Sequence, residues 1–257
     1  MARVWITGAS SGIGRALALE YAKQGFDLIV SARNESALES LKQACAPAEV
    51  AVIPLDLSSP ESIAAAATQA LALGPIDILI NNGGISQRSK AEETGLELDR
   101  RIMDINYFGQ IQVTKAVLPS MLERGQGIIA VTTSLTGKWG FYLRSAYAAS
   151  KHALHGFFDS LRMEVEDRGI QITLITPGFI ATEISVHALG SDGKPSGEMD
   201  NNQAQGLPVD ECARRIIAGI AAGKREFGVG GRELMGLWLR RFAPALFARL
   251  LKKQSAR

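Results

Sequence analysis

Seven short apolar runs punctuate the chain, at 3–7, 27–31, 50–55, 76–80, 127–132, 171–175 and near 226–229. They are apolar almost throughout rather than alternating, the pattern of strands covered on both faces of a parallel sheet. Between them lie longer stretches with helical periodicity, among them 13–24, 37–45, 62–73 and 146–167. Repeated strand–helix alternation with right-handed crossovers predicts an α/β fold. We expect a single doubly wound, Rossmann-like domain over residues 1–257, with a central parallel sheet of about seven strands.

Two segments break this rhythm. Residues 185–207 are rich in Gly, Ser, Asn, Asp and Gln, with Gly190, Gly193 and Gly197 among them. An excursion of this length in a compact domain is expected to be a substrate lid. Residues 232–257 form a C-terminal extension. It sets Leu237, Trp238, Phe242, Leu246, Phe247, Leu250 and Leu251 among Arg240, Arg241, Arg249, Lys252 and Lys253. Pro244 interrupts it, so one straight helix is not expected. Such a segment can cap the substrate cleft, cover a partner subunit or lie on a membrane surface. Packing against the protein itself is the favoured reading.

Composition narrows the class. Hydrophobic residues make up 46% and charged residues 21% of the 257, an ordinary globular mix. The two cysteines, Cys45 and Cys212, match no metal spacing and read as small buried hydrophobes in a reducing compartment. A formal net charge of +2 gives no reason to expect nucleic-acid binding. The first residues enter a strand-like run with no secretory pattern, and no apolar run is long enough to span a bilayer. A cytoplasmic protein is expected, peripheral to a membrane only if the extension makes that contact. His152, His155 and His187 do not suggest a metal site; the first two are expected to be packing residues.

The first strand-like run leads into Thr7-Gly8-Ala9-Ser10-Ser11-Gly12-Ile13-Gly14, and a helical pattern follows at once. Glycines there allow positive φ and close backbone approach to a ligand. N–H groups at the helix start can then face a pyrophosphate. Such a turn alone is a weak signal, but its place between strand and helix makes it a cofactor loop including Ser10 and Ser11. NAD-binding sheets usually carry an acid near the end of the second strand, which holds the ribose 2′-hydroxyl. Here that stretch reads Ser31-Ala32-Arg33-Asn34. Arg33 can instead pair with a 2′-phosphate, and Arg15 can add a second cation. Either alone could be a solvated surface charge; together they favour NADP(H) over NAD(H).

Tyr147 and Lys151 are four residues apart at the start of a long amphipathic helix, so they share a face. A Tyr of ordinary pKa near 10 is a poor base at neutral pH, and a neighbouring ammonium stabilises its phenolate. Val131-Thr132-Thr133-Ser134 ends the preceding strand and puts Ser134 at the carboxyl edge of the sheet, where ligands bind in open α/β sheets. A hydroxyl there can bond a substrate carbonyl; by itself it would more often be a strand-end cap. Trp139 and Tyr142, between the two, are candidates for the pocket wall.

In order along the chain, the glycine loop, Asn81-Asn82-Gly83-Gly84, Asn106, Ser134, the Tyr147–Lys151 spacing and Pro177-Gly178 resemble the short-chain dehydrogenase/reductase family. The resemblance runs from Arg3 to about Val229. It implies that Tyr147 is the general acid in reduction and the base in oxidation. Lys151 would lower the tyrosine's pKa and hold the nicotinamide ribose, Ser134 would position the carbonyl, and Asn106 would organise a water. On the cofactor side it implies that Gly8, Ser10, Gly12, Ile13 and Gly14 line the pyrophosphate. Asp56 and Leu57 would border the adenine, and Asn82 and Gly84 the adjacent ribose. Pro177, Gly178, Ile180 and Thr182 would contact the nicotinamide end. The family usually has Ala where this chain has Gly83, which is expected to loosen that turn slightly.

The stretches 81–87, 144–152 and 177–206 are similar to the orphan branch related to 11-beta-hydroxysteroid dehydrogenase. The resemblance therefore implies an NADP(H)-dependent oxidoreductase acting on a lipophilic ketone, aldehyde or secondary alcohol. Two alternatives remain: a 3-oxoacyl-carrier-protein reductase-like enzyme and a non-catalytic NADP(H) sensor. The helix from Ala146, with apolar Ala153, Leu154, Phe157, Leu161 and Val165, is expected to meet its own copy in a homodimer or homotetramer.

Overall fold

The computed structural model describes residues 2–255. The chain runs β1 (Arg3–Thr7), α1 (Gly12–Lys23), β2 (Asp27–Ser31), α2 (Glu35–Ala44), β3 (Val50–Val52), α3 (Pro60–Ala72) and β4 (Ile78–Asn81). It continues through α4 (Leu96–Met103), a π-helical turn (Asp104–Phe108), α5 (Gly109–Arg124), β5 (Gly127–Thr132), α6 (Ser145–Val165) and β6 (Ile170–Pro177). The last elements are α7 (Asn201–Ala204), α8 (Val209–Ala221), β7 (Glu226–Val229), α9 (Met235–Phe242) and α10 (Pro244–Ser255).

The strands form one parallel seven-stranded sheet in the order β3-β2-β1-β4-β5-β6-β7. Alternation along β1 shows why it is apolar throughout. Val4 and Ile6 pack into one core with Leu17, Leu28 and Ile216. Trp5 packs into the other with Ile29, Leu79, Val113 and Phe158. Each strand thus fills two layers, and the doubly wound expectation holds. The order reverses direction between β1 and β4, which opens a crevice at their carboxyl ends.

Three strand bounds differ from the sequence reading. Formal pairing of β3 stops at Val52, yet Ile53 and Leu55 still donate to Val30 and Ala32 carbonyls at 3.1 Å each. The chain therefore keeps running beside β2 as far as the cofactor crevice. β4 starts two residues later than expected and reaches Asn81. β6 continues to Pro177, paired there only with Val229 of β7. β5 has already ended, so the missing proline N–H costs no ladder bond.

Residues 185–207 hold α7 and otherwise irregular chain, pinned in the middle. Leu189 N–H donates to Ser86 O at 2.9 Å, and Arg88 N–H donates to Leu189 O at 2.8 Å. The extension is two helices, with Pro244 opening the second as the sequence required. No helix of the described residues is long and apolar enough to cross a membrane.

Candidate active site

The β1–α1 turn is built on glycine. Gly8 has φ +66°, and a Cβ there would stand 2.6 Å from Gly83 Cα. At Gly14 a Cβ would run into the Gly8 carbonyl. Ser11 caps α1 by position, but its hydroxyl makes no cap bond and the first turn carries no acid. The helix therefore presents free N–H groups and the positive end of its dipole to the crevice, which suits a pyrophosphate. The turn is stitched to the loop after β4. Thr7 Oγ1 accepts from Asn82 and Gly83 N–H at 3.1 Å, and Asn82 Nδ2 donates to Thr7 and Gly8 carbonyls at 3.3 Å. Gly83 does not loosen the turn as expected: Leu57 fills the space, and an alanine methyl there would come within 2.6 Å of Leu57 Cδ1.

At the far end of the crevice Arg33, Asn34, Asp56 and Leu57 line the wall. Arg33 is exposed at the mouth. Burial works against the Asp56 carboxylate, but Ser58, Arg33 and Arg101 together hold its pKa below the usual value. Asn34, which the sequence reading did not select, accepts from Ala37 N–H at 3.0 Å and so caps α2. Gly14 and Arg15 do not line the cavity. Gly14 packs beneath the turn, and the Arg15 charge bears on buried Cys45 behind it. Of the two arginines named from the sequence, Arg33 lines this end of the cavity and Arg15 does not.

Ser134, Tyr147 and Lys151 meet at the carboxyl edge of β5. The Ser134 hydroxyl accepts from Thr136 N–H at 3.2 Å and also bonds Tyr147, so it is both strand-end cap and site residue. Lys151 Nζ donates to Thr132 O at 2.8 Å and sits 5.8 Å from the centre of the Tyr147 ring. Burial pushes the Lys151 ammonium down to about 8. Burial also pushes the Tyr147 phenol up; Arg144 and then Ser134 pull it back partway. Asn106 lies in the π-helical turn, a feature frequent at functional sites. Its side chain does not line the cavity. It accepts from Ile85 N–H at 2.8 Å and donates to Ile85 O and Ser150 Oγ at 2.9 and 3.0 Å. In this structure it ties the loop after β4 to α6.

Two residues the sequence reading passed over fix the start of α6. Buried Gln87 Oε1 accepts from Ala146 and Tyr147 N–H at 2.8 and 3.4 Å. Its amide donates to Ser89, Thr94 and Ser145 hydroxyls. Arg144 donates to Ser86 Oγ and Gln87 O at 2.7 and 2.6 Å. A signal for Arg144 did exist: a cation at a helix N-terminus opposes the helix dipole.

One cavity of about 1140 Å³ contains the glycine turn and the Ser134–Tyr147–Lys151 group. It exceeds the ~300–1,000 Å³ common for single small-ligand sites, as a cofactor-plus-substrate cleft should. Beyond Tyr147 its wall carries the apolar side chains of Trp139, Phe141, Ile184, Leu239, Phe247 and Leu251, with Glu183, His187, Asp200 and Gln203 among them. Trp139 meets Phe247 edge-to-face at 5.0 Å, so the extension roofs the cleft. Tyr142 is about half exposed and does not line it. Pro177, Gly178, Ile180 and Thr182 do line it. The proposed copy-facing surface of α6 needs correction. Leu154, Leu161 and Val165 are buried in this chain's own core, which leaves Ala153 and Phe157 half-buried, the latter beside Tyr107 and Lys115.

A family model described as short chain dehydrogenase matches residues 2–190. The chain is 42% identical over 262 aligned positions to "Dehydrogenase/reductase SDR family member 7B" of Mus musculus, covering 98% of this chain and 80% of that protein. Among solved structures it is similar to a short-chain dehydrogenase from Streptomyces avermitilis, at TM-score 0.84 and 30% identity, covering 99% of this chain and 97% of that one. It is also similar to an alcohol dehydrogenase from the archaeon Thermococcus sibiricus, complexed with 5-hydroxy-NADP. That match has TM-score 0.75 and 25% identity, covering 90% and 97%.

Proposed function

The chain belongs to the short-chain dehydrogenase/reductase family of oxidoreductases, which bind a nicotinamide cofactor, and from that premise we propose an NADP(H)-dependent enzyme that interconverts a carbonyl and an alcohol on a lipophilic small molecule. The observation that carries this reading is the continuity of one cavity, from the uncapped helix N-terminus, past Tyr147, to the apolar roof of α9 and α10.

The glycine turn would hold the pyrophosphate, Arg33 a 2′-phosphate, and Lys151 the nicotinamide ribose. When bound, the cofactor supplies or accepts a hydride. Ser134 donates a hydrogen bond to the substrate oxygen and orients it. Tyr147 gives its Oη proton to that oxygen in reduction and takes it back in oxidation. Lys151 keeps positive charge beside the phenol, and Asn106 and Gln87 hold α6 in register with the loop after β4. The roof excludes water around the reacting atoms, and residues 185–207 act as the lid beside it. An NADPH-oxidation assay over aliphatic, aromatic and steroidal carbonyls tests the reading. Turnover is expected with NADPH well above NADH, and Arg33→Ala should raise the KM for NADPH about tenfold or more while leaving NADH unchanged. Tight NADPH binding without turnover on the panel would instead identify a sensor.

The exposed side chains of the extension support a further part of this reading, contact with an anionic membrane surface. Met235, Trp238, Phe242, Leu246 and Leu250 are exposed, with Met235, Trp238 and Leu250 also lining the cavity, and Arg240, Arg241 and Arg249 flank them. Residues 235–255 contain no acid. Aromatic and aliphatic side chains beside arginines match the interface of an anionic bilayer. The protein should sediment with vesicles containing phosphatidylserine and be released by high salt; Trp238→Ser with Phe242→Ser should stay in the supernatant. We also propose a cytoplasmic location and a homodimer, for which half-buried Phe157 and exposed Phe108 offer a contact surface.

A further inference from the structure

We propose that Arg144 is a positioning residue for the proton chemistry of Tyr147, and that Asp200 in the lid segment sets how much of its charge the phenol feels. This rests on the reading of Tyr147 as the proton donor.

Arg144 occupies the N-cap position of α6, three residues before Tyr147. Cations are disfavoured there by the helix dipole, and nothing local compensates: the first turn of α6 carries no acid. Its side chain is only 11% exposed. One edge of the guanidinium is locked by the bonds from Nη1 to Ser86 Oγ and Gln87 O. The other edge, Nη2, faces Asp200 Oδ2 at 3.8 Å, too far for a hydrogen bond. Asp200 is meanwhile engaged elsewhere, its Oδ1 accepting from Asn202 N–H at 3.0 Å to cap α7. The result is a rigid, half-neutralised cation in the wall that also holds Tyr147. A guanidinium does not lose its proton in a protein, so burial leaves its charge in place and weakens the screening around it. The phenol is pulled toward ionisation by Arg144 more than by Ser134.

The other charged groups near this wall face partners other than Arg144. Lys151 lies one turn on along α6 and bonds Thr132 O. Arg88, in the loop after β4, faces Glu198 of the lid segment at 3.5 Å. His187 and Glu183 lie within 3.7 Å of each other. Glu233 accepts from Phe179 and Gly231 N–H, beside Arg232. Asp200 is thus the acid set against Arg144, and it belongs to the largely irregular segment 185–207. Displacing that segment would carry the acid away and leave the phenol under the full charge of Arg144. Lid position and tyrosine acidity are coupled through this pair.

The test needs no substrate. The ultraviolet phenolate absorbance of Tyr147 is titrated in the full-length protein with NADP+ bound, using Tyr147→Phe as the blank. Arg144→Gln should raise the midpoint by on the order of one pH unit. Arg144→Lys should largely restore it. Asp200→Asn should lower it, and should lose that effect in the Arg144→Gln background. An unchanged midpoint in a folded, NADP+-binding Arg144→Gln protein would overturn the proposal, whatever its melting temperature. If Arg144→Gln does not fold, Asp200→Asn decides: no shift, or an upward one, is equally fatal. Failure of the functional reading would appear separately, as full turnover by Tyr147→Phe.

Discussion

Tyr147→Phe is expected to lower kcat at least about 100-fold while changing NADPH affinity little, because a positioned acid or base contributes typically 10²–10⁴-fold. The ring is 9% exposed and packs at the start of α6, and phenylalanine keeps that shape. Only Oη is lost, together with its bond to Ser134. Ser134 retains a partner in Thr136 N–H, so no buried hydroxyl is stranded and the fold should survive. The effect should fall on kcat and kcat/KM together, the mark of an interaction made mainly in the transition state. Cofactor fluorescence or calorimetry measures binding, and the carbonyl panel measures rate. A variant that keeps full turnover would remove Tyr147 from the mechanism, and with it the case for this cavity as a proton-transfer site.

Where the chain carries its own instructions, the sequence reading and the structure agree. The bounds of β1, β2 and β5 coincide with the apolar runs, because each run is apolar on both faces and ends in turn chemistry. The Tyr147–Lys151 pair was legible because one helix face brings both groups together without tertiary information. Gln87 was not, and Arg144 showed only as a cation opposed to a helix dipole, since their roles exist only once the loop after β4 meets α6. They are 57 residues apart in sequence, yet one bond joins them. Arg15 shows the opposite limit: its place after the glycines looks right, but it does not line the cavity, and its charge bears on Cys45. The apolar face of α6 misled in the same way, since periodicity says that a face is covered and not by what. Leu154 and Leu161 are covered by this chain itself.

Lys151→Met is expected to abolish most turnover and yet stabilise the protein without cofactor at neutral pH. Lys151 is 3% exposed, its one hydrogen bond goes to Thr132 O, and burial brings its pKa from 10.5 to about 8. That displacement corresponds to about 3 kcal/mol against the charged form. Because the folded pKa lies below the unfolded one, the unfolded chain holds more protons between about pH 8 and 10.5. Stability of the parent protein therefore rises with pH through this window. Below about 8 both states are protonated and the full penalty stands; above about 10.5 it is gone. Methionine removes the penalty at every pH but also leaves Thr132 O without that donor, a loss of about 1–3 kcal/mol. The variant should thus gain on the order of 1 kcal/mol at pH 7, a rise in Tm of about 2–4 °C. Its advantage should disappear and reverse as the pH approaches 10.5. A variant less stable than the parent by the same amount at every pH would show that Lys151 is not a strained charge. If the reversal is found, the site holds a cation that folding alone does not favour, in the place where a phenolate and a ribose would use it.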